Sequence, residues 1–380
     1  MPHPEELKRL NAEITSHMGH LSKSLLYVLS LYVLGMVIMR HCGQSQIAYL
    51  LSELMGCKLG TMKHRLRELM YEAQAKCGDK RQEIDVSQCF APLLSWVLSK
   101  FTDEPKQVVL ALDATYLTNR FTILAVSVVV AGCAIPVAWH IRTTTQQGKW
   151  NPIWITLLTQ LAPALPKGWQ VFVLSDSGLY SKILYRKLCK HFKWSALMRI
   201  EGSQGLFKVK GHRQWHPLRH FVYRGMENQV MTGTCFKSNP ITCTLILQWQ
   251  ADYDLPCLLV TNLRPQDVNH NIYAIRYWIE CGFKDIKRGL FHWEQTKMTC
   301  PQRAERLWLV MSIALLWLTA VGDATSTLPQ WHSLSHGSAS KRILSAPVCG
   351  WIQLILTLLK GNPLPYGHFI PYPWLPKPET

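Results

Sequence analysis

Residues 108–117 read VVLALDATYL and residues 173–180 read VLSDSGLY. In the first, the apolar run 108–112 ends at Asp113; in the second, the run 170–174 ends just before Asp176. Apolar runs of four to eight residues bounded by polar or turn-forming residues are the pattern of strands buried on both faces. From residue 105 to residue 200 the chain has only these two acids. Two isolated carboxylates, each at the C-terminal end of a strand, predict a sheet whose first and fourth strands are neighbours, with their tips meeting.

Working outward, residues 121–130 are continuous and β-branched, Gly132 marks a turn, and 134–141 form a third strand. Residues 152–161 read as a helix stopped by Pro163, Pro166 and Gly168, 181–191 as a second helix and 195–200 as a fifth strand. The order βββαβαβ gives an α/β fold, a mixed sheet with helices on its faces. Residues 201–262 break that rhythm with Gly, Thr and alternating apolar positions, as at 242–249 and 258–261. They read as an all-β insertion carrying Lys208, Lys210, His212, Arg213, Arg219 and Arg224. Residues 271–288 and 301–321 then read as helices, 326–340 as a Ser- and His-bearing loop, 351–360 as a short helix, and the rest as an extended proline-rich tail.

The first 75 residues read as helical. Ser45 is a candidate N-cap for a helix burying Ile47, Leu50, Leu51 and Leu54, and a further helix from Thr61 buries Met62, Leu66, Leu69 and Ala73. Lys63 and Arg67 then point outward one turn apart. Two short helices around a glycine-bearing turn match a helix-turn-helix, with Lys63 and Arg67 as candidate DNA contacts; a small bundle with a solvated basic face has the same pattern. Residues 77–85 read as a linker.

Forty-one Lys and Arg against 24 Asp and Glu leave a net charge of +17, which calls for a polyanionic partner, nucleic acid or an anionic membrane face. With 48% hydrophobic and 17% charged residues, the chain is not disordered. The uncharged runs 24–39 and 307–322 are shorter than the roughly 18–20 residues a span needs, so core helices are expected and no membrane partner. Twelve cysteines without C-x-x-C spacing, and without a signal peptide ahead of them, read as reduced buried thiols of a cytosolic protein.

Carboxylates on adjacent strand tips repel each other unless a divalent cation joins them, and hard oxygen ligands suit Mg²⁺ or Mn²⁺. Each acid taken singly is equally a turn cap. A third ligand is offered by the 271–288 helix, where Tyr273, Arg276, Glu280 and Lys287 follow one helical stripe. That stripe is polar, so it faces either a ligand or solvent, the latter with a simple Arg276–Glu280 pair.

The stripe, spelled Y-AI-R-YWI-E-CGFKDI-K from Tyr273 to Lys287, resembles the signature of bacterial DDE transposases of the insertion-sequence-four type, relatives of the Tn-five and Tn-ten transposases. LALDATYL, VLSDSGLY and the β insertion before the Glu helix complete the resemblance, over roughly residues 105–325. It departs in one place: Tyr277 follows Arg276 where members often have Trp. The resemblance implies a ribonuclease-H-like core (105–200 and 263–325) interrupted by the insertion (201–262), with an N-terminal DNA-binding region (1–85) and a C-terminal region (326–380). Asp113, Asp176 and Glu280 would be the catalytic residues and would hold two Mg²⁺ ions, Mn²⁺ substituting, about 3.5–4 Å apart. Tyr273, Arg276 and Lys287 would grip phosphates beside the scissile bond.

The implied partners are transposon terminal inverted repeats and target DNA, held by a homodimer in a synaptic complex in the bacterial cytoplasm, at the nucleoid. The implied route passes through a DNA hairpin whose flipped base stacks on an aromatic residue of the insertion; Trp215 and Trp249 are candidates, and each is equally a core tryptophan. A catalytically silent DNA-binding relative and a metal-dependent nuclease without strand transfer are the alternatives.

Overall fold

In the computed structural model, which describes residues 3–76, 81–103, 106–202, 205–269, 271–326 and 344–370, the long apolar runs pair first. β1 (Gln107–Leu117), β2 (Phe121–Val130) and β3 (Cys133–Thr143) form an antiparallel meander. Every residue of β2 is buried, as a strand covered on both faces requires. β4 (Gln170–Ser175) then lies parallel to β1, and β5 (Ser195–Ile200) parallel to β4. The resulting order β3-β2-β1-β4-β5, with only β2 reversed, is a ribonuclease-H-like core.

The insertion forms strands, but not a module of its own. β6 (Leu206–Val209), β7 (His216–Pro217), β8 (Met226–Cys235), β9 (Ile241–Trp249) and β10 (Cys257–Thr261) continue the same sheet to ten strands, joined through the antiparallel β10–β5 pair. Each new strand satisfies the backbone edge of the one before it, so the core sheet has no open edge at β5.

Upstream, α1 (His3–Met18), α2 (Lys23–Met39), α3 (Gln44–Met55) and α4 (Leu59–Met70) form the helical region. Gly43, not Ser45, is the N-cap of α3, and its backbone does the capping without a side-chain bond. Gly56 ends α3 in the left-handed conformation, while Gly60 falls inside α4, which starts two residues before Thr61. Met62, Leu66 and Leu69 are buried; Lys63 and Arg67 are exposed. Within the expected linker, Asp85 accepts the Ser87 N–H at 3.0 Å and starts a 3-10 turn that runs into an unanticipated helix, α5 (Phe90–Ser99).

Helices α6 (Trp150–Leu161) and α7 (Lys182–Arg186) link β3 to β4 and β4 to β5. The expected 271–288 helix is three pieces: a 3-10 turn Ala274–Tyr277, α8 (Trp278–Lys284) and a π-turn Asp285–Gly289. Gly282 lets α8 press onto β3, where a Cβ would meet the Ala134 carbonyl at 2.3 Å.

α9 (Pro301–Thr325) alone is long and apolar enough among the described helices to cross a membrane, yet 94% of its apolar window is buried inside the protein. There Trp308 packs edge-on to Trp293 at 5.4 Å and against Trp139 at 5.9 Å. α10 (Ala346–Leu359) crosses α9 where Gly322 and Gly350 face each other's backbone. Among the described residues no disulfide forms. The expected loop 326–340 and the proline tail beyond 370 lie outside the described residues, apart from Ser326.

Candidate functional site

The β1–β4 register pairs Leu112 with Ser175, so the next residues, Asp113 and Asp176, stand side by side. Asp113 is not a strand end: β1 runs four residues past it, kept extended by β2, which pairs with it from Asp113–Ala125 to Leu117–Phe121. Only β4 stops, turning at Asp176 into the 3-10 segment Ser177–Leu179. The two carboxylates therefore meet where β4 leaves the sheet and β1 continues.

The broken 271–289 segment lays its polar residues across that point. Tyr273 Oη donates to the Ser175 carbonyl at 3.1 Å, at the end of β4. Arg276 pairs with Asp113 Oδ2 at 3.5 Å and with Glu280 Oε1 at 2.9 Å. Lys287 Nζ donates to Thr115 Oγ1 at 2.5 Å, on β1 just beyond Asp113. Tyr273, Arg276 and Lys287 thus face β1 and β4, while Glu280 is half exposed and joins them through Arg276, and no single α-helix carries the stripe. Its last member lies in a π-turn, a device that re-aims side chains and recurs at functional sites.

Charge dominates the site. Burial raises the Asp113 carboxyl to about 6; Arg276 and the Ala114 N–H pull it back, while Glu280 and Asp176 push it further up. Burial also raises the Tyr273 hydroxyl and lowers the Lys287 ammonium. Asp176 faces a second arginine, Arg199 on β5, at 3.7 Å, and Arg199 Nη2 reaches the Pro256 carbonyl at 3.4 Å. Sequence reasoning missed Arg199, whose signal was a lone charge in an otherwise apolar strand.

The three acids suit a hard divalent cation in kind. All are oxygen donors, and Asp176 Oδ1 is buried without a hydrogen bond, its nearest cation being Arg199 at 3.7 Å. Among the described residues, however, no three such ligands converge as a ready cluster. The guanidinium of Arg276, 13% exposed, is the cation that Asp113 and Glu280 share.

Of the other candidates, Lys63 and Arg67 lie on α4 in the N-terminal helical region. Arg67 lines a cleft between α4 and residues 295–300, beside Tyr71 and Arg303. Trp249 follows Gln248, which pairs with Cys257, a thiol within the electrostatic reach of Asp176 and Arg276. Trp215 instead precedes the outermost strand, β7, with the Lys208 ammonium 5.3 Å above its ring.

Residues 104–317 match the family described as the transposase DDE domain, more than half of the chain. Among solved structures, the chain is similar to the piggyBac transposase in its cryo-EM synaptic complex with hairpin DNA. That likeness has 11% identity and a TM-score of 0.40, over 93% of this chain and 79% of that one. No curated protein matches the chain.

Proposed function

We propose, for a chain that belongs to the transposase DDE-domain family and is thus a DNA transposase, that it serves a bacterial insertion sequence of the insertion-sequence-four type. It cuts the inverted repeats at the element's ends and joins the freed 3′-hydroxyls to target DNA. The observation that carries this reading is the side-by-side placement of Asp113 and Asp176, tied to Glu280 through Arg276. Asp113, Asp176 and Glu280 would hold two Mg²⁺ ions, with Mn²⁺ able to substitute, whose chemistry is activation of the attacking oxygen and stabilisation of the leaving one.

The protein's own groups do the rest. Arg276 and Lys287 are aimed at the carboxylates' surroundings and carry the positive charge that a scissile phosphate needs on both sides. Arg199 adds a third such charge beside Asp176. Tyr273, anchored on β4 through Ser175, positions the backbone next to the cut. Lys63 and Arg67 on α4 would contact the repeat as the second helix of a helix-turn-helix. Between the two tryptophans, the register favours Trp249 as the platform for a flipped base on a hairpin route. Two copies would bridge the two ends, in the cytoplasm at the nucleoid.

The test is cleavage of duplexes ending in the repeats that flank the gene, with Mg²⁺ and the purified full chain. Asp113→Asn, Asp176→Asn and Glu280→Gln are each expected to lower end cleavage by about 100-fold or more. Cleavage at the wild-type rate in any of them sinks the assignment of that carboxylate. Cleavage without joining to a target plasmid leaves a nuclease instead.

A further inference from the structure

The insertion carries more basic charge than the carboxylate site can use. Residues 201–262 hold Lys208, Lys210, Arg213, Arg219, Arg224 and Lys237 against Glu201, Glu227, Asp252 and Asp254, so six positive charges minus four leave +2, with Arg224 paired to Asp254. Strand geometry sorts these residues. Lys208 pairs with Thr234 and Thr234 with Thr242, while Thr232 pairs with Thr244, which puts them on one face of the sheet. The opposite face holds Phe207, Cys235, Cys243 and Leu245, all buried. The insertion therefore turns an apolar face inward and sets Lys208, Thr232, Thr234 and Thr242 on the other, where only Thr244 is buried, its hydroxyl given to the Leu263 carbonyl.

That outer face forms a cleft of about 640 Å³, and no Asp or Glu lines it. Lys210 and His212 stand exposed at its rim, and Lys208 is held over the Trp215 ring, which fixes the ammonium without consuming its hydrogen-bond donors. Arg264, also at the rim, is already committed to Asp267. Ammonium groups beside hydroxyls, with no carboxylate acceptor and with the neighbouring Trp215 ring covered by Lys208, suit phosphate oxygens and read no sequence. From β4 to β6 the sheet takes five strand steps, β5, β10, β9, β8 and β6. At about 4.8 Å per step that is roughly 24 Å, or about seven base pairs of duplex.

We propose that this outer face, centred on Lys208 and Lys210, is a second phosphodiester-binding surface that grips duplex DNA about seven base pairs from the carboxylates. It adds affinity, not sequence readout. The proposal rests on DNA as the substrate and not on which carboxylates do the chemistry.

The probe is a 30-base-pair duplex of arbitrary sequence, titrated with the full chain by fluorescence anisotropy across a salt series. For a Lys208→Gln/Lys210→Gln double variant, the slope of log affinity against log salt is expected to fall by about 1.8, at about 0.9 per phosphate contact. Between 50 and 200 mM salt the wild type then loses about 12-fold more affinity than the variant. Scrambling the duplex sequence should leave that difference unchanged. An unaltered slope, a difference that follows base sequence, or tighter binding of single-stranded RNA than of the duplex overturns the proposal. Cleavage is not the readout, so the outcome does not depend on which carboxylates do the chemistry. Thermal unfolding of the double variant checks the fold, and if it fails to fold, Lys210→Gln alone, at an exposed position, is expected to show half the change.

Discussion

Replacing Asp113 by Asn should make the protein more stable, and the structure sets the size of the effect. The Asp113 carboxyl titrates at about 6 in the folded protein, chiefly because burial disfavours its charge, against 3.8 for the ordinary side chain. The fold therefore holds the ionised form less well than the unfolded chain does. Below 3.8 both states are protonated and the cost is absent; it grows as pH rises from 3.8 to 6 and is complete above that. About two pKa units at 1.36 kcal/mol each put the cost at roughly 3 kcal/mol at pH 7, and about half of that at pH 5. Asn keeps the shape, the acceptor for the Ala114 N–H and no charge, so it mimics the protonated acid. Chemical denaturation of wild type and Asp113→Asn at pH 7, 5 and 4 reads the difference directly. The variant should be the more stable at pH 7, by an amount that shrinks steadily toward pH 4. Added Mn²⁺ should narrow the gap by stabilising the wild type alone, by about 2.7 kcal/mol at 100 times its Kd. A variant no more stable than wild type at pH 7, or an advantage independent of pH, would refute the account of Asp113 as a buried, strained charge.

Arg276→Gln removes the guanidinium that Asp113 and Glu280 share, so Mn²⁺ binding without DNA, followed by loss of the free-ion EPR signal, should tighten roughly fivefold or more, given a Coulomb term of about 1–4 kcal/mol; DNA cleavage should fall in the same variant. Weaker Mn²⁺ binding would mean that Arg276 organises the ligands rather than competing for them. Arg306 is buried and donates to the Ile84 and Met70 carbonyls and to Glu72 and Glu83, tying the end of α4 and the following segment to α9. Arg306→Met takes that donor from the buried Ile84 and Met70 carbonyls, while Glu72 keeps Arg303 and Glu83 keeps the Ala73 N–H, and should cost about 2–3 kcal/mol in denaturant unfolding; a loss under about 1 kcal/mol, the worth of a surface pair, would contradict the clamp. Gly322→Ala places a Cβ 1.8 Å from the Ala346 carbonyl, backbone against backbone, and should cost about 1–3 kcal/mol or more, whereas Gly60→Ala meets nothing within 4 Å and should melt no lower than wild type. Equal melting temperatures for the two glycine variants would rule out the close α9–α10 crossing.

How far the fold could be read depended on which physical signal each segment carried. The five core strands declared themselves because burial on both faces demands continuous apolar runs, and the two aspartates pointed to one adjacency among them, β1 beside β4. α5 escaped notice because its sequence, FAPLLSWVLS, is apolar all round and has Pro92 in its first turn, so no helical period stands out. The 271–288 segment kept the spacing of a helix, yet it winds as 3-10, α and π in succession. The tight contact of Gly282 with β3 and the double acceptance by the Asp285 carbonyl, from Leu290 and Phe291, are long-range and local constraints that spacing does not encode. That the insertion joins the core sheet was likewise invisible, since alternation shows which side chains share a face and not which strand lies alongside.

The site was more legible than the fold around it, for a reason that also explains what was missed. Acids are scarce in this chain, so two of them in a long basic stretch stood out. Cations are abundant, so Arg199 did not, although it balances Asp176 much as Arg276 balances Asp113 and Glu280. Three acids meeting two arginines and Lys287 is a cluster near neutrality, on a chain of +17. Such a balance holds only while the arginines stay turned toward the carboxylates. A phosphate entering the site competes for Arg276 and Arg199, and each arginine drawn away leaves a carboxylate in want of a cation. DNA entry and divalent-ion binding then favour each other, and by linkage each must raise the other's affinity by the same factor. A phosphate-bearing duplex should therefore tighten Mn²⁺ binding to the wild type and do so far less in Arg276→Gln, where that competition is already gone.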